Sequence, residues 1–137
     1  MKTMEQVNAV QLFNLSNEFI DVVLCNYGCT IVSIMVPDKN GEKKNVVAGL
    51  SDPDHYKTEH PYFGSTIGRN ANRISYGKLK IDENEYLLPA NNELNHLHGG
   101  VEGFHRKLWR GHRHQEGITF SDLSRDGEEG YPGNLEV

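Results

Sequence analysis

The segment His96-Leu97-His98-Gly99-Gly100 offers the densest chemistry in this sequence. Two imidazoles two residues apart point to one side of an extended segment, an arrangement open to a metal half-site. Leu97 between them can anchor the segment in a core, and Gly99-Gly100 lets the backbone approach a ligand closely. An imidazole held this way donates or accepts a proton near neutrality. A second cluster, Gly68-Arg69-Asn70-Ala71-Asn72-Arg73-Ile74, carries two guanidinium and two amide groups with no acidic neighbour in sequence. Planar multi-donor groups of this kind suit sugar hydroxyls or carboxylates, and on a bland surface they would cap loop carbonyls instead.

Other clusters read as structural. His112 and His114, beside Arg110 and Arg113, form a polar outer strand face. Cys25 and Cys29 flank a Tyr27-Gly28 turn, and C-x3-C without a second pair reads as two free thiols rather than zinc ligands. Gly64-Ser65-Thr66-Ile67-Gly68 lacks the Gly-Lys-Ser/Thr of a phosphate loop. Asp122-x-Ser124-x-Asp126-Gly127 begins like a calcium loop, but its twelfth position is Gly133 where a bidentate glutamate is needed. That segment reads as a solvated acidic turn.

The elements that must position these groups are strands. A chain of 137 residues is the size of one domain, and the expectation is a single domain over residues 1–137. Lys and Arg number 14 against 19 Asp and Glu, a net charge of −5, which argues against a phosphate-backbone binder and so against a nucleic-acid partner. No apolar run approaches the length of a bilayer span, and residues 1–10 lack the apolar core of a secretory signal. The expectation is therefore a cytoplasmic protein with no membrane partner.

The dominant hydrophobic period is two. Residues 9–15, 19–24, 30–36 and 46–48 predict a four-stranded meander, its third turn set by Pro37-Asp38-Lys39-Asn40-Gly41. Ser51 or Asp52 caps one or two helical turns near residues 54–58, with Pro53 in the first turn. Hairpins are predicted for 78–81 with 85–88 and for 108–114 with 118–123, and 134–137 reads as the start of a strand. No segment has a sustained helical period, so the fold class is all-β, an antiparallel β-sandwich or barrel. The long stretches 51–74 and 91–107 hold the candidate chemistry, where loops on a β scaffold carry sites.

Taken in order, the motifs resemble the aldose 1-epimerase (galactose mutarotase) family. They are Asn26-Tyr27-Gly28-Cys29-Thr30-Ile31-Val32, Tyr62-Phe63-Gly64, Gly68-Arg69 with Ala71-Asn72-Arg73-Ile74, and Leu97-His98-Gly99-Gly100. Gly103-Phe104 with Leu108-Trp109 follows, then Asp126-Gly127-Glu128-Glu129-Gly130-Tyr131-Pro132-Gly133. The resemblance implies part of a galactose-mutarotase-like β-supersandwich that interconverts the α and β anomers of a hexose. A carboxylate base removes the anomeric hydroxyl proton, an acid protonates the ring oxygen, and the ring opens and recloses without metal or redox cofactor. Substrate-binding roles fall on Asn72, Arg73 and His98, with His98 also the catalytic residue on the ring-oxygen side.

Family members are longer. The expectation is an N-terminal portion, without the family's later histidine, aspartate and glutamate, and inactive alone. A non-catalytic carbohydrate-binding β-module is the alternative. The carboxylates offered as a base are Glu93, Glu102 and the turn 126–129, the last expected to face water. The expected partners are a small-molecule sugar and, through exposed sheet edges, a second copy of the chain.

Overall fold

The computed structural model describes residues 9–50, 52–58 and 62–137. Four strands, β1 (Leu12–Ser16), β2 (Asp21–Cys25), β3 (Thr30–Pro37) and β4 (Lys43–Asn45), form an antiparallel sheet in chain order, the meander expected. Asn17 closes the first hairpin, its side chain accepting from the amides of Phe19 (2.9 Å) and Ile20 (2.8 Å). Asp38 does the same for the third turn, accepting from Asn40 (2.8 Å) and Glu42 (3.0 Å). β4 lies earlier than the predicted residues 46–48. The Asn45 side chain leaves the ladder to accept from the amides of Ile34 and Val47, both at 3.1 Å, and ends the strand. Val46 beyond it stays 63% exposed.

The helical turn falls at Pro53–Lys57 as a 3₁₀ turn, with Asp52 capping the Asp54 amide at 2.9 Å. Ser51, the other candidate cap, lies outside the described residues. The remaining strands pair in twos: β5 (Arg73–Ile74) with β8 (His96–Leu97), β6 (Lys78–Ile81) with β7 (Asn84–Leu87), β9 (Arg110–His114) with β10 (Gly117–Ser121), and β11 (Leu123–Ser124) with β12 (Leu135–Glu136). Every pair is antiparallel. The β9–β10 hairpin packs on β1, where Phe120 meets Phe13 edge-on at 5.2 Å and Arg113 donates to the Asn14 carbonyl at 2.7 Å.

The core is small and partly polar. Trp109 packs edge-on against Phe104 at 5.4 Å and donates its indole N–H to the Phe104 carbonyl at 3.0 Å. Cys25, Tyr56, Leu88 and Tyr131 are buried with Asn26, Thr30, His96 and Ser124. Each buried polar side chain among these has a hydrogen-bond partner: Asn26 binds the Gln11 amide and the Ala9 carbonyl, and Thr30 binds the Tyr27 carbonyl. Cys25 and Cys29 are free thiols, both pushed up in pKa chiefly by burial.

Candidate functional site

The short β5–β8 ladder is the frame of the site. It pairs Arg73 with Leu97 and Ile74 with His96. Immediately outside it stand Asn72 (φ 64°) and His98 (φ 51°), both in the left-handed region. They bind each other twice: the His98 amide donates to the Asn72 carbonyl at 3.0 Å, and the Asn72 amide donates to His98 Nδ1 at 3.1 Å. Arg73 donates from Nε to Asn92 Oδ1 at 2.8 Å and from Nη1 to Asn72 Oδ1 at 3.4 Å. Asn72, Arg73 and His98 thus share one patch, with Asn72 and Arg73 exposed and His98 half-buried.

The bond to Nδ1 fixes the chemistry of His98. A backbone N–H can only donate, so Nδ1 carries its lone pair and the neutral ring carries its proton on Nε2. Burial lowers the His98 pKa, and the Arg73 charge lowers it further. His98 is therefore a neutral donor at pH 7. The Tyr62 ring lies 4.8 Å from it and 4.7 Å from the His105 ring. A cleft of about 370 Å³ opens beside this patch, lined among the described residues by Tyr62, Asn91, Gly100, His105 and Arg106 with Thr58 and Val101. Asn72, Arg73 and His98 adjoin this cleft rather than line it.

Several readings from the sequence are corrected. His96 and His98 do not point to one side, because the left-handed φ of His98 breaks the extended alternation. His96 is fully buried with both ring nitrogens engaged: Nδ1 donates to the Pro89 carbonyl and Nε2 accepts from the Tyr131 hydroxyl, each at 2.8 Å. Among the described residues no group of three or more His, Cys, Asp and Glu side chains could hold a metal ion. The metal reading of His96 with His98 therefore fails.

Arg69 leaves the Asn72–Arg73 cluster altogether. Its guanidinium reaches Ser124 Oγ (2.9 Å) and the carbonyls of Ser124 (3.0 Å), Arg125 (2.9 Å), Pro132 (2.8 Å) and Gly133 (2.8 Å). It is a carbonyl cap that ties the acidic turn to the Gly68 loop.

The acidic turn is divided: Asp126 and Gly127 are exposed as expected, whereas Glu128 and Glu129 turn toward the protein. Glu128 pairs with Lys107 at 2.5 Å and accepts from the Ser124 hydroxyl. Burial raises the Glu128 pKa, but hydrogen bonds from Lys107 and Ser124 and the charges of Lys107 and Arg69 outweigh it, and the net shift is downward. Asp122 pairs with Lys107 at 3.1 Å, and Asp126 accepts from the Gly133 amide at 2.6 Å, so none of the calcium-like carboxylates is spare.

Asn91 and Asn92 escaped the sequence reading. Asn91 clamps Leu97, accepting from its amide at 2.6 Å and donating to its carbonyl at 2.9 Å, while Asn92 orients Arg73. Adjacent asparagines after Pro89-Ala90 were the signal, since their side chains can mimic a strand partner. Among the described residues, no carboxylate is hydrogen-bonded or ion-paired to Asn72, Arg73 or His98.

A sequence profile of the aldose 1-epimerase family matches residues 11–137, and the chain belongs to that family. Its curated relatives include the galactose mutarotase of Rattus norvegicus, 44% identical over 129 residues, which span 94% of this chain and 38% of the relative. The Homo sapiens galactose mutarotase is 45% identical over 128 residues, covering 93% of this chain and 37% of its own length. The aldose 1-epimerase of Escherichia coli K12 is 32% identical over 121 residues, 88% of this chain and 35% of the relative.

Solved structures agree. A GalM/aldose epimerase homologue from C. elegans superposes with a TM-score of 0.88 at 30% identity, covering 94% of this chain and 40% of that one. A galactose 1-epimerase from Lactobacillus acidophilus gives 0.80 at 30% identity, over 99% and 41%. The fold is all-β and galactose-mutarotase-like, and the chain spans somewhat over a third of the length of the curated relatives it matches.

Proposed function

We propose that this chain supplies the Asn72–Arg73–His98 part of an aldose 1-epimerase sugar site, in a protein that interconverts the anomers of a hexose such as galactose or glucose. The observation that carries the reading is the bond from the Asn72 amide to His98 Nδ1, which leaves Nε2–H as a donor beside the Arg73 guanidinium and the Asn72 amide. A sugar ring oxygen is a neutral acceptor. A neutral Nε2–H can bind it in the closed sugar and bind it more strongly as negative charge develops there on ring opening. Arg73 and Asn72 would hold neighbouring hydroxyls and fix the ring, and fixed orientation supplies part of the rate gain.

One observation favours the carbohydrate-binding reading for the residues present here: no described carboxylate is hydrogen-bonded or ion-paired to the three-residue patch. The base of the reaction would then come from residues outside this chain. The test is calorimetric and NMR titration with D-galactose and D-glucose. Saturable binding that is lost in Arg73→Ala and His98→Ala supports the proposal. Binding that survives both substitutions, or no binding at all, overturns it.

A further inference from the structure

The acidic turn 126–133 was singled out by its sequence and plays no part in the chemistry above, yet it packs directly behind the loop that bears His98. Its core is Glu129, a non-glycine residue in the left-handed region (φ 48°). The Glu129 carboxylate accepts from two successive amides of that loop, Val101 to Oε2 at 3.2 Å and Glu102 to Oε1 at 2.7 Å. Neither amide has a backbone partner in the described structure. A carboxylate is suited to this task because it accepts on both oxygens and donates on neither.

The fit is specific to this pair of segments. A β-carbon on Gly100 would stand 2.1 Å from Glu129 Oε2, so the glycine makes the room the carboxylate occupies. The turn itself is anchored on three sides. Glu128 is held by Lys107 and Ser124, Arg69 caps the carbonyls around it, and the Tyr131 hydroxyl binds His96 on β8. On the loop side, the Gly100 amide donates to the Leu97 carbonyl at 3.1 Å, closing a turn with His98 inside it.

From this geometry we infer that Glu129 is a positioning residue for His98: its carboxylate locks the 99–102 backbone so that His98 keeps its left-handed conformation and its Nδ1 on the Asn72 amide. The functional meaning rests on the proposed role of His98 in sugar binding; the clamp itself does not. Without the carboxylate, two loop amides lose their acceptor, the turn 97–100 is free to relax, and the imidazole exchanges between tautomers.

The test needs no sugar. In the unmodified 137-residue protein, hydrogen exchange at Val101 and Glu102 should be protected although both residues are exposed, and long-range ¹H–¹⁵N spectra should show His98 as a single Nε2–H tautomer. Glu129→Ala and Glu129→Gln should speed exchange at those two amides by roughly tenfold or more and give His98 a mixed tautomer signature. Glu116→Gln, an exposed carboxylate change in the β9–β10 turn away from this clamp, should leave His98 unchanged. Unprotected Val101 and Glu102 amides in the unmodified protein overturn the inference even if the variants do not fold. So does an unchanged His98 in the Glu129 variants, or an equal disturbance from Glu116→Gln. If Glu129 controls the His98 tautomer but no sugar binds, the clamp stands and the sugar-site proposal falls.

Discussion

Replacing Gly99 by alanine tests how closely the His98 loop is pressed against the loop carrying Arg69. Gly99 has φ +84°, and a side chain in the left-handed region costs about 1–2 kcal/mol. A β-carbon there would lie 1.6 Å from the Gly68 carbonyl oxygen, 2.3 Å from its carbonyl carbon and 2.9 Å from the Arg69 nitrogen. All three are backbone atoms, so no rotamer change relieves the contact and the two loops must part. Overpacking of this kind adds about 1–3 kcal/mol, for a total of roughly 2–5 kcal/mol. Gly127 supplies the control: its φ is +81°, and an added β-carbon meets nothing within 4 Å. Gly127→Ala therefore carries only the left-handed cost. With a urea slope of about 1–3 kcal/mol per molar, the steric part alone separates the two unfolding midpoints by roughly 1 M. Equal midpoints would refute the close approach, and with it the claim that this loop is rigidly placed.

Three further outcomes are expected. The folded-state pKa of His98 is depressed below 6.5, so its contribution to stability is complete above pH 6.5 and is lost as the pH falls through 6.5 to the folded value; an NMR titration midpoint at or above 6.5 would contradict this. Arg69→Lys removes the planar fork that reaches four carbonyls at once and should cost about 2–4 kcal/mol in thermal or chemical unfolding; a loss under about 0.5 kcal/mol would show the cap to be incidental. In polarimetry with fresh α-D-glucose or α-D-galactose, the 137-residue chain should not exceed the buffer rate by a family-like margin, because a positioned acid or base contributes about 10²–10⁴-fold and no described carboxylate is hydrogen-bonded or ion-paired to the patch; a strong acceleration abolished by His98→Ala and Arg73→Ala would refute this.

The strands were legible because their signals are local. Period-two patterning and the turn residues Asn17, Asp38 and Gly41 placed the meander, and Asp52-Pro53 placed the 3₁₀ turn. The early end of β4 was not legible, because it depends on the Asn45 side chain reaching across to Ile34. The patch was half legible. Asn72, Arg73 and His98 share it, but the fate of Arg69 depends on carbonyls more than fifty positions away in sequence. The same holds for the acidic turn: composition says it is solvated, and only the contacts of Glu128 with Lys107 and of Glu129 with the 101–102 amides turn it inward. The left-handed φ of His98 was only weakly signalled: histidine is enriched there among non-glycine residues, but the glycines that follow read as the flexible part.

The central claim is that His98 is a neutral Nε2–H donor set beside Arg73 and Asn72 to meet a sugar. Long-range ¹H–¹⁵N NMR of the imidazole, recorded without sugar and then with increasing D-galactose, tests it most directly. The account predicts an unprotonated Nδ1 in the free protein at pH 7, and a saturable shift of the Nε2–H signal together with the Arg73 Nε–H signal as sugar is added. An Nδ1–H tautomer in the free protein, or His98 and Arg73 signals that do not move with galactose or glucose, would contradict it.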